Sequence, residues 1–525
     1  MTPRFRDTLS RAVQSLVPIE DGRIRIYTCG PTVYRFAHVG NLRTFLLADL
    51  IRRVVLYHGI DVLHVQNITD VGHLRDERFD QGEDRMLVAA GLEGRSAAEI
   101  ADAYEAAFHG DAARINLLPA HEFPRATEHI PEMVELAERL EDLGHAYATP
   151  AGNVYYAVAT FPGYGSLSGN SLDELRAGHR TEVEVDKRDP ADFALWKRAG
   201  EGRVLSWPTP RWGQGFPGWH LECSAMALRH LGPHFDIHTG GEDNVFPHHE
   251  DEIAQSAPIV GGPPANLWIH GAHLLMRGRK MAKSAGNFQR ITELEEAGVD
   301  PLAFRYLCLT ARYGRKLDYS DRSLGAAGAG LASLRSGLRG LGPPPDGGPW
   351  TAPAVLRAGT APARPVGRAE GLAGHGGDPE TPGPLLSDRA TTPGASLSPT
   401  GRSIHERFVA AIDDDLDLPA ALRLARSVLT GGIPPDEKRW LLLDMDFVFG
   451  LDLDRVWDAA PSEAPDWPPA VAKPLSEARA RARAEHDWVE ADRLREALRA
   501  LGVEPIDRAD GSSDWQPIRQ GSEPG

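Results

Sequence analysis

The stretch from residue 23 to residue 69, RIRIYTCGPTVYRFAHVGNLRTFLLADLIRRVVLYHGIDVLHVQNIT, decides the fold of this chain. Its alternating isoleucines predict a strand over 23–28. Apolar residues then recur at helical spacing over 41–58, which predicts a helix with one buried face. The segment 61–69 predicts a second strand. A strand, a glycine-containing turn, a helix and a strand form a βαβ unit, so we expect an α/β domain with a parallel sheet.

The same alternation of strands and helices returns farther along the chain. The sequence predicts a helix through Cys223, a strand over 234–241, a helix from about His248 and a strand over 265–276. Residues 75–215 separate the two parts of this pattern. We interpret them as largely an insertion into one divided domain.

Within the insertion, the spacing of apolar residues predicts two helices, at roughly 96–115 and 126–144, and a hairpin-like segment at 153–169. A helical stretch is predicted over 301–339. An amphipathic helical pair is predicted from Ile404 onwards. In the last part of the chain, the segment 475–502 predicts one long helix with basic and acidic side chains.

The chain also changes in composition along its length. Residues 342–402 are dense in Pro, Gly and Ala and have no sustained hydrophobic period, so we expect them to be disordered. These observations divide the chain into a Rossmann-like domain over 1–320, a helical connection over 321–341, a disordered insertion over 342–402, a helical bundle over 403–460 and a C-terminal region over 461–525.

Length, composition and charge narrow the classes of function. The chain has 525 residues and 42% hydrophobic content, enough for several domains and at least one large core. It contains no long apolar run and no secretory signal, so we expect no membrane span and a cytoplasmic location. Three cysteines do not make a disulfide framework, and in a reducing compartment they more often serve metal binding or catalysis. The net charge of −17 weighs against a nucleic-acid partner but does not exclude a local basic groove.

Two short motifs could handle phosphate groups. Gly40 and Asn41 open the first helix, whose free N–H groups suit a phosphate, and His38 could donate to a phosphoryl oxygen. Lys280 and Lys283 lie in a polar, glycine-flanked loop and could neutralise a pyrophosphate leaving group. Each motif has an ordinary alternative, which is a helix-capping histidine for the first and a solvated basic loop for the second.

A thiol pair near an imidazole and a carboxylate can hold zinc, and this chain offers Cys29 and Cys223 with His248 and Glu252. The last two residues are four apart, so they share one helix face. Zinc next to a phosphate-handling site suggests a small substrate that carries a thiol. We expect His249, Glu250 and Asp251 to lie on the helix surface and not to be ligands. We expect Cys308 to be buried as a small hydrophobic residue.

The two phosphate motifs occur together in one known class of enzymes. HVGN after the first strand and KMAKS after the last form the signature pair of class I aminoacyl-tRNA synthetases, which this sequence resembles. Within that class it most closely resembles the cysteinyl-tRNA synthetase family. The resemblance is carried by CGPTVY, HVGN, RTF, VQNITDVGH, PGWHLECSAM, HFDIHTGGEDNVFPHHEDEIAQS and KMAKSAGNF.

The resemblance implies a class I catalytic domain that uses ATP, with Mg²⁺, to activate L-cysteine and transfers it to tRNA(Cys). It implies one Zn²⁺ per chain, and we expect a monomer. The implied roles are catalysis for His38, Lys280 and Lys283; ATP binding for His38, Gly40, Asn41, Lys280, Met281, Lys283 and Ser284; cysteine binding for Thr69, Trp219, His220 and Asp243; zinc binding for Cys29, Cys223, His248 and Glu252; and anticodon binding for Arg483, Trp488, Asp492 and Asp507.

Some of these residues have simpler explanations. Trp219 could pack in the core, Asp243 could cap a turn, and Trp488 could pack against the bundle. The chain also departs from the family pattern, with Asn41 in place of the second histidine of the first motif and Ala282 in place of a serine in the loop. Asparagine still donates a hydrogen bond, and both lysines remain.

Two other functions stay open from the sequence. One is a cysteine-activating paralogue that delivers cysteine to an acceptor other than tRNA, as in the ligase of mycothiol synthesis. The other is an RNA-binding paralogue that has lost catalysis. The C-terminal region favours tRNA, because an aromatic residue with Arg and Asp is how single-stranded RNA loops are recognised.

Overall fold

A computed structural model of the chain shows two compact units, Met1–Asp454 and Arg455–Gly525. The residues that the structure describes are 2–71, 74–76, 81–84, 93–171, 186–200, 203–276, 278–280, 289–357, 397–458, 472–484, 487–500, 503–507 and 513–517.

The strands are β1 (Arg4–Arg6), β2 (Val13–Ser15), β3 (Arg23–Thr28), β4 (Asp61–Gln66), β5 (Leu74–Asp76), β6 (Gln81–Asp84), β7 (Ala146–Ala148), β8 (Val154–Tyr156), β9 (Phe193–Arg198), β10 (Trp207–Thr209), β11 (Gly213–Pro217), β12 (Phe235–Gly241), β13 (Ala265–Gly271), β14 (Leu274–Met276), β15 (Arg279–Lys280), β16 (Leu317–Tyr319), β17 (Val503–Asp507) and β18 (Ser513–Pro517).

The α-helices are α1 (Val39–Tyr57), α2 (Ala97–Arg114), α3 (Ile130–Asp142), α4 (Trp219–Leu231), α5 (Glu250–Val260), α6 (Ile291–Glu296), α7 (Pro301–Leu309), α8 (Asp321–Arg339), α9 (Pro399–Asp413), α10 (Leu418–Thr430), α11 (Pro435–Phe449), α12 (Ala472–Ala484) and α13 (Trp488–Ala500). A π-helical turn, Val245–His249, leads into α5.

The centre of the first unit is the predicted parallel sheet. Its four strands lie in the order β13-β12-β3-β4, and every neighbouring pair is parallel. The chain leaves β3 through α1 towards β4 and leaves β12 through α5 towards β13, so the two connections run in opposite directions. Such a reversal opens a crevice at the carboxyl ends of the two middle strands, which is where ligands bind in sheets of this type.

The helix α1 differs from its prediction in one respect. Instead of one buried face, every residue from Phe45 to Val55 is buried. The reason is that the sheet covers one side of the helix and α11 packs against the other. The hydroxyl of Tyr57, for example, donates to a carboxylate oxygen of Asp444 in α11 at 2.7 Å.

A buried cluster of charges fixes α1 to the helices that follow the sheet. Asp49 accepts hydrogen bonds from Arg53 at 2.9 Å, from Arg305 at 2.6 Å and from the backbone N–H of Leu118 at 2.9 Å. Burial opposes ionisation of the Asp49 carboxyl, but the two guanidinium groups outweigh it and hold its pKa below the usual value. The remaining N–H groups of both arginines donate to backbone carbonyls, among them that of Phe447.

The insertion contains more sheet than the sequence predicts. The two predicted helices are present as α2 and α3, but five antiparallel strands also pair, in the order β10-β11-β9-β8-β7. The hairpin predicted at 153–169 lies earlier and is formed by β7 and β8. These strands are only three residues long, too short for a clear alternating pattern.

Two further predictions need correction. The strand predicted over 265–276 divides, because β13 stays in the parallel sheet while β14 pairs with β15 and β16 in a separate one. The stretch 301–339 is helical in α7 and α8, but the segment 310–320, which contains β16, interrupts it.

Order after the composition-biased segment begins earlier than expected. Helix α9 begins at Pro399, inside the predicted disordered segment 342–402, and the Ser398 side chain caps it by accepting from the N–H of Gly401 at 3.1 Å. Residues 342–357 form neither helix nor strand. The rest of that prediction, over 358–396, lies outside the described residues.

In the second unit, the single long helix predicted over 475–502 is wrong. The structure has two helices, α12 and α13, which pack against each other. Asp487 caps the second helix, because its side chain accepts a hydrogen bond from the N–H of Glu490 at 3.1 Å. A two-stranded sheet, β17 with β18, follows. Among all the described helices of the chain, none is both long enough and apolar enough to cross a membrane.

We expect the substitution Asp49→Asn to lower the free energy of unfolding by about 3–5 kcal/mol, because two buried guanidinium groups would lose their shared counter-charge. Urea unfolding followed by circular dichroism measures this effect. The control is Asp142→Asn, which removes a surface partner of Arg211 and should leave the urea midpoint close to that of the parent. Equal shifts in the two variants would contradict the role of the buried cluster.

Candidate functional site: a metal cluster beside a helix N-terminus

The first thiol of the site is placed by the sheet itself. Cys29 directly follows β3, and its backbone N–H donates to the carbonyl of Thr239 in β12 at 3.3 Å. The next residue must be glycine, because a Cβ at Gly30 would lie 1.6 Å from the carbonyl oxygen of Asn67. The close approach of these two chain segments fixes Cys29 at the carboxyl end of the sheet.

The four residues predicted to bind zinc lie together. The Cys29 Sγ is 4.0 Å from the Cys223 Sγ and 3.6 Å from a carboxylate oxygen of Glu252. The same oxygen is 3.1 Å from the Nε2 of His248. One ligand atom from each residue can be chosen so that all four lie within 4.8 Å of one another, and all four side chains are buried.

Two histidines that were not predicted from the sequence, His238 and His249, also lie in this cluster. Cys29 and Glu252 also form a compact group with His238 and His249. The Nε2 of His249 lies 3.1 Å from the Cys29 Sγ, and the Nε2 of His238 lies 2.9 Å from Glu252. Neither histidine is conspicuous in the sequence, because His238 lies within a predicted strand and His249 directly follows the proposed ligand His248.

The expectation that His249, Glu250 and Asp251 lie on the helix surface is therefore wrong, because all three side chains are buried. The insertion covers this end of α5. The backbone N–H of Ser168 donates to the Glu250 carboxylate at 2.7 Å, and the hydroxyl of Tyr164 donates to Asp251. A helix residue that contacts a distant segment cannot be recognised as buried from its own spacing.

Two residues assigned to cysteine binding, Trp219 and His220, contact His248. The ring of Trp219 stacks on that of His248 with 4.4 Å between the centroids. The Nδ1 atoms of His220 and His248 lie 2.8 Å apart, and the other nitrogen of His220 is 3.3 Å from Asp251. Partners of this kind fix the tautomer and the orientation of a ligating imidazole.

Burial shifts the pKa values of several side chains in and beside the cluster. Burial raises the pKa of the Cys29 thiol well above its usual value, so the thiol stays protonated without a metal. Burial also lowers the pKa of His249 and brings that of His270 to about 3, so both imidazoles are neutral and able to act as ligands or to orient them. Two sulfurs, an imidazole and a carboxylate are a suitable donor set for zinc, so the residues fit this ion.

The predicted phosphate-binding helix begins at Val39, two residues before its predicted start at Asn41. His38 caps α1, with its Nδ1 accepting from the N–H of Asn41 at 3.1 Å, while the Asn41 side chain accepts from the N–H of His38 at 3.2 Å. Asparagine thus completes a reciprocal cap that fixes the His38 ring. Gly40 lies beneath this ring, since a Cβ there would be 2.9 Å from it.

The lysine loop is only partly described. Lys280 ends β15, and its side chain is not described, while Met281, Lys283 and Ser284 lie outside the described residues. Thr69 is buried, with its N–H donating to the carbonyl of Pro31 at 3.1 Å.

The remaining predicted site residues are Asp243, which was assigned to cysteine binding, and the four residues assigned to anticodon binding. Asp243 is exposed in the turn that follows β12. Trp488 begins α13 with 56% of its surface exposed, and the exposed Asp492 lies one turn later. Arg483 lies near the end of α12, and Asp507 ends β17.

Comparison with known proteins identifies the two units. The family model of the class I (C) tRNA synthetase catalytic domain matches residues 15–329, and that of the cysteinyl-tRNA ligase anticodon binding domain matches residues 464–504. This chain belongs to the cysteine–tRNA ligase family. It is therefore a class I aminoacyl-tRNA synthetase with a Rossmann-like catalytic domain.

Individual relatives match over nearly the whole length. The chain is 35% identical to the cysteine–tRNA ligase of Treponema denticola, with 99% of this chain and all of the relative covered, and 40% identical to cysteine–tRNA ligase 1 of Burkholderia lata, with 99% and 98% covered. Among solved structures, methionyl-tRNA synthetase from Mycobacterium tuberculosis matches with a TM-score of 0.53 at 16% identity, covering 84% of this chain and 95% of that one. This last likeness concerns the fold alone.

We expect the purified protein to contain a divalent metal ion that is lost in the variant Cys223→Ala, because the cluster would keep only one thiol. Elemental analysis measures the metal content per chain. Cys308→Ala is the matched control, since this third cysteine is also buried but lies in α7, outside the cluster. A Cys223→Ala variant with full metal content would overturn the assignment.

Proposed function

We propose that this enzyme activates L-cysteine with ATP to cysteinyl-adenylate, releases pyrophosphate and transfers the cysteine to tRNA(Cys). The observation that carries the proposal is the buried group of Cys29, Cys223, His248 and Glu252 at the carboxyl end of the sheet. Cys29 directly follows β3, and the loop that it begins leads to the N-terminus of α1. His38 lies at that N-terminus, where a phosphate group would bind.

The four residues would hold Zn²⁺, whose bound thiol has a lowered pKa and so binds as a thiolate. Serine differs from cysteine by one atom, and a merely polar pocket discriminates poorly between two such similar groups. A site with soft sulfur donors prefers a thiolate to a hydroxyl. The choice of amino acid would then follow from the first binding step.

The residues around the cluster shape the space for a small side chain. Trp219 is half-buried and lies flat against His248, so it would form one wall. His220 would keep the His248 ring oriented by its contact with Asp251. Thr69 and Asp243 are the proposed contacts of the amino-acid backbone, with the exposed Asp243 carboxylate pairing with the ammonium group.

The phosphate side of the proposal follows from the cap of α1. Because the Nδ1 of His38 accepts a hydrogen bond from Asn41, the proton of the neutral ring is on Nε2, which is then a donor for a phosphoryl oxygen. The N-terminus of α1 at Gly40 adds backbone N–H groups and a partial positive charge. Lys280 and Lys283, with Met281 and Ser284, would bind the ATP phosphates with Mg²⁺ and stabilise the pyrophosphate as it leaves.

The second unit would bind the anticodon. Trp488 is one of the few large apolar side chains that the described part of the chain exposes, and an exposed aromatic ring suits stacking with an unpaired base. Arg483, Asp492 and Asp507 are the proposed partners for base edges. The matching anticodon-binding family favours tRNA over a small-molecule acceptor, which would need no such unit.

Cysteine-dependent exchange of pyrophosphate into ATP should be lost in Cys223→Ala, by at least about 100-fold, which is the upper end of what a single outer partner of a metal contributes. Removal of the metal with a chelator should have the same effect, and Cys308→Ala should not. Exchange that survives metal removal would exclude the proposed role of zinc. Serine in place of cysteine serves as the substrate control.

Charging of tRNA transcripts distinguishes the proposed function from its alternatives. Cysteinylated tRNA supports the proposal, exchange without charging indicates another acceptor, and tRNA binding without exchange indicates a protein that has lost catalysis.

We expect Trp488→Ala to lower kcat/KM for tRNA about 5- to 100-fold while pyrophosphate exchange is unchanged, because one base would lose its aromatic stacking partner. Trp488→Phe, which keeps an aromatic face, should recover most of the charging. A parallel loss of exchange in Trp488→Ala would show instead that the substitution disturbs the whole protein.

A further inference from the structure

A cavity of about 260 Å³ lies beside the edge strand β4, between α1 and α2. None of its lining residues belongs to the metal cluster or to the residues proposed to bind cysteine, ATP or tRNA. The residues that define the cavity chemically are Phe45, His64, Gln66, Phe108, His109 and Phe123.

Five of the twelve residues that line the cavity carry aromatic rings. The rings of Phe45 and Phe108 meet edge to face with 5.3 Å between their centroids, and those of His109 and Phe123 do so at 4.6 Å. Rings in such arrangements present faces and edges to a planar guest, and aromatic side chains dominate the lining of small-molecule sites.

Two polar side chains in this wall have unmet hydrogen-bonding capacity. His64 is 4% exposed and Gln66 is 5% exposed. Within the residues that the structure describes, the Nδ1 of His64 and the Nε2 of Gln66 have no hydrogen-bond partner. Buried polar atoms are nearly always paired in folded proteins, so these two mark a place where a bound molecule supplies the missing partners.

The third buried polar residue of the wall, Asp49, behaves differently. Both carboxylate oxygens of Asp49 accept hydrogen bonds from Arg53, Arg305 and Leu118. Two guanidinium groups already neutralise this carboxylate, so it does not call for a charged guest. The other two buried polar side chains of the wall, His64 and Gln66, lie two residues apart in β4 and suit an uncharged guest.

The cavity can be reached from outside. His109, Ala112 and Phe123 are half-buried, and Ala113 is exposed, so this side of the wall is at the protein surface. The His64 ring is anchored at its other nitrogen, which lies 2.9 Å from the Thr28 hydroxyl. The polar end of the cavity is thus preformed, which reduces the entropy that a guest must lose on binding.

We propose that this cavity is a binding site for a small, uncharged aromatic molecule with a carbonyl-type oxygen, which accepts a hydrogen bond from the Gln66 amide while its ring packs against the phenylalanines. The site is independent of the cysteine and ATP sites, so the proposal does not rest on the proposed function.

The test uses benzamide as the probe and the full-length protein, with binding measured by saturation-transfer NMR titration. Benzamide should bind saturably, and benzoate should bind at least tenfold more weakly because of its charge. Saturating cysteine or ATP should leave the benzamide affinity unchanged. Absence of saturable benzamide binding, or its loss when cysteine or ATP is added, overturns the proposal.

Variants locate the probe in the cavity. Ala112→Phe places a ring at the mouth and should weaken benzamide binding at least tenfold, while Ala106→Phe, on an exposed position of the same helix, should have no effect. Gln66→Leu keeps the size of the side chain but removes the donor, so it should weaken benzamide about tenfold and leave ethylbenzene binding intact. Equal affinities of Ala112→Phe and the parent protein for benzamide would show that the probe binds elsewhere and overturn the proposal.

Discussion

The parallel pairing of β3 with β12 is the constraint on which the rest of the first unit depends. Thr28 and Thr239 are 211 residues apart in the sequence, yet their hydroxyl groups lie 2.8 Å from each other and their strands share a register. This pairing brings the loop that carries Cys29 and the helix cap next to the segment that carries the histidines. The group of candidate metal ligands therefore cannot form from one half of the domain alone.

The arrangement is energetically unfavourable in the absence of a bound ion, because it buries several titratable side chains. Cys29, His249 and Glu252 are buried at the end of a sheet, where an unpaired charged group is strongly unfavourable. The neutral thiol and the neutral imidazoles reduce that cost in the absence of a metal, and a metal ion would remove it by neutralising a thiolate and a carboxylate. A metal ion would bind such a site with little reorganisation, because the candidate ligand atoms already lie close together.

Local patterns predicted what depends on local geometry. The βαβ unit, the cap at His38 and the pair of His248 and Glu252 all follow from spacing within one segment, and the structure has each of them. The gathering of the four predicted ligands came from the family resemblance, which carries long-range information that periodicity lacks.

Most of the errors have one physical origin, which is contact between segments far apart in the sequence. The burial of Glu250 and Asp251 depends on the insertion that covers α5, and the burial of α1 on all sides depends on α11. The end of β13 is set by the partner strands of β14. The break before Trp488 is the exception, since the capping aspartate at 487 was a local signal that the continuous charge pattern obscured.

The buried cluster around Asp49 connects α1 to the helices that follow the sheet. Arg53 and Arg305 join α1, whose N-terminus is the proposed phosphate site, to the backbone of α11 through buried hydrogen bonds. A charged network of this kind tolerates little sliding, because each displaced donor would leave a buried group unpaired. The position of the α1 N-terminus relative to the sheet is therefore fixed from both sides, by strands on one face and by the bundle on the other. The role that we propose for His38 depends on position and charge, and it requires a support of this rigidity.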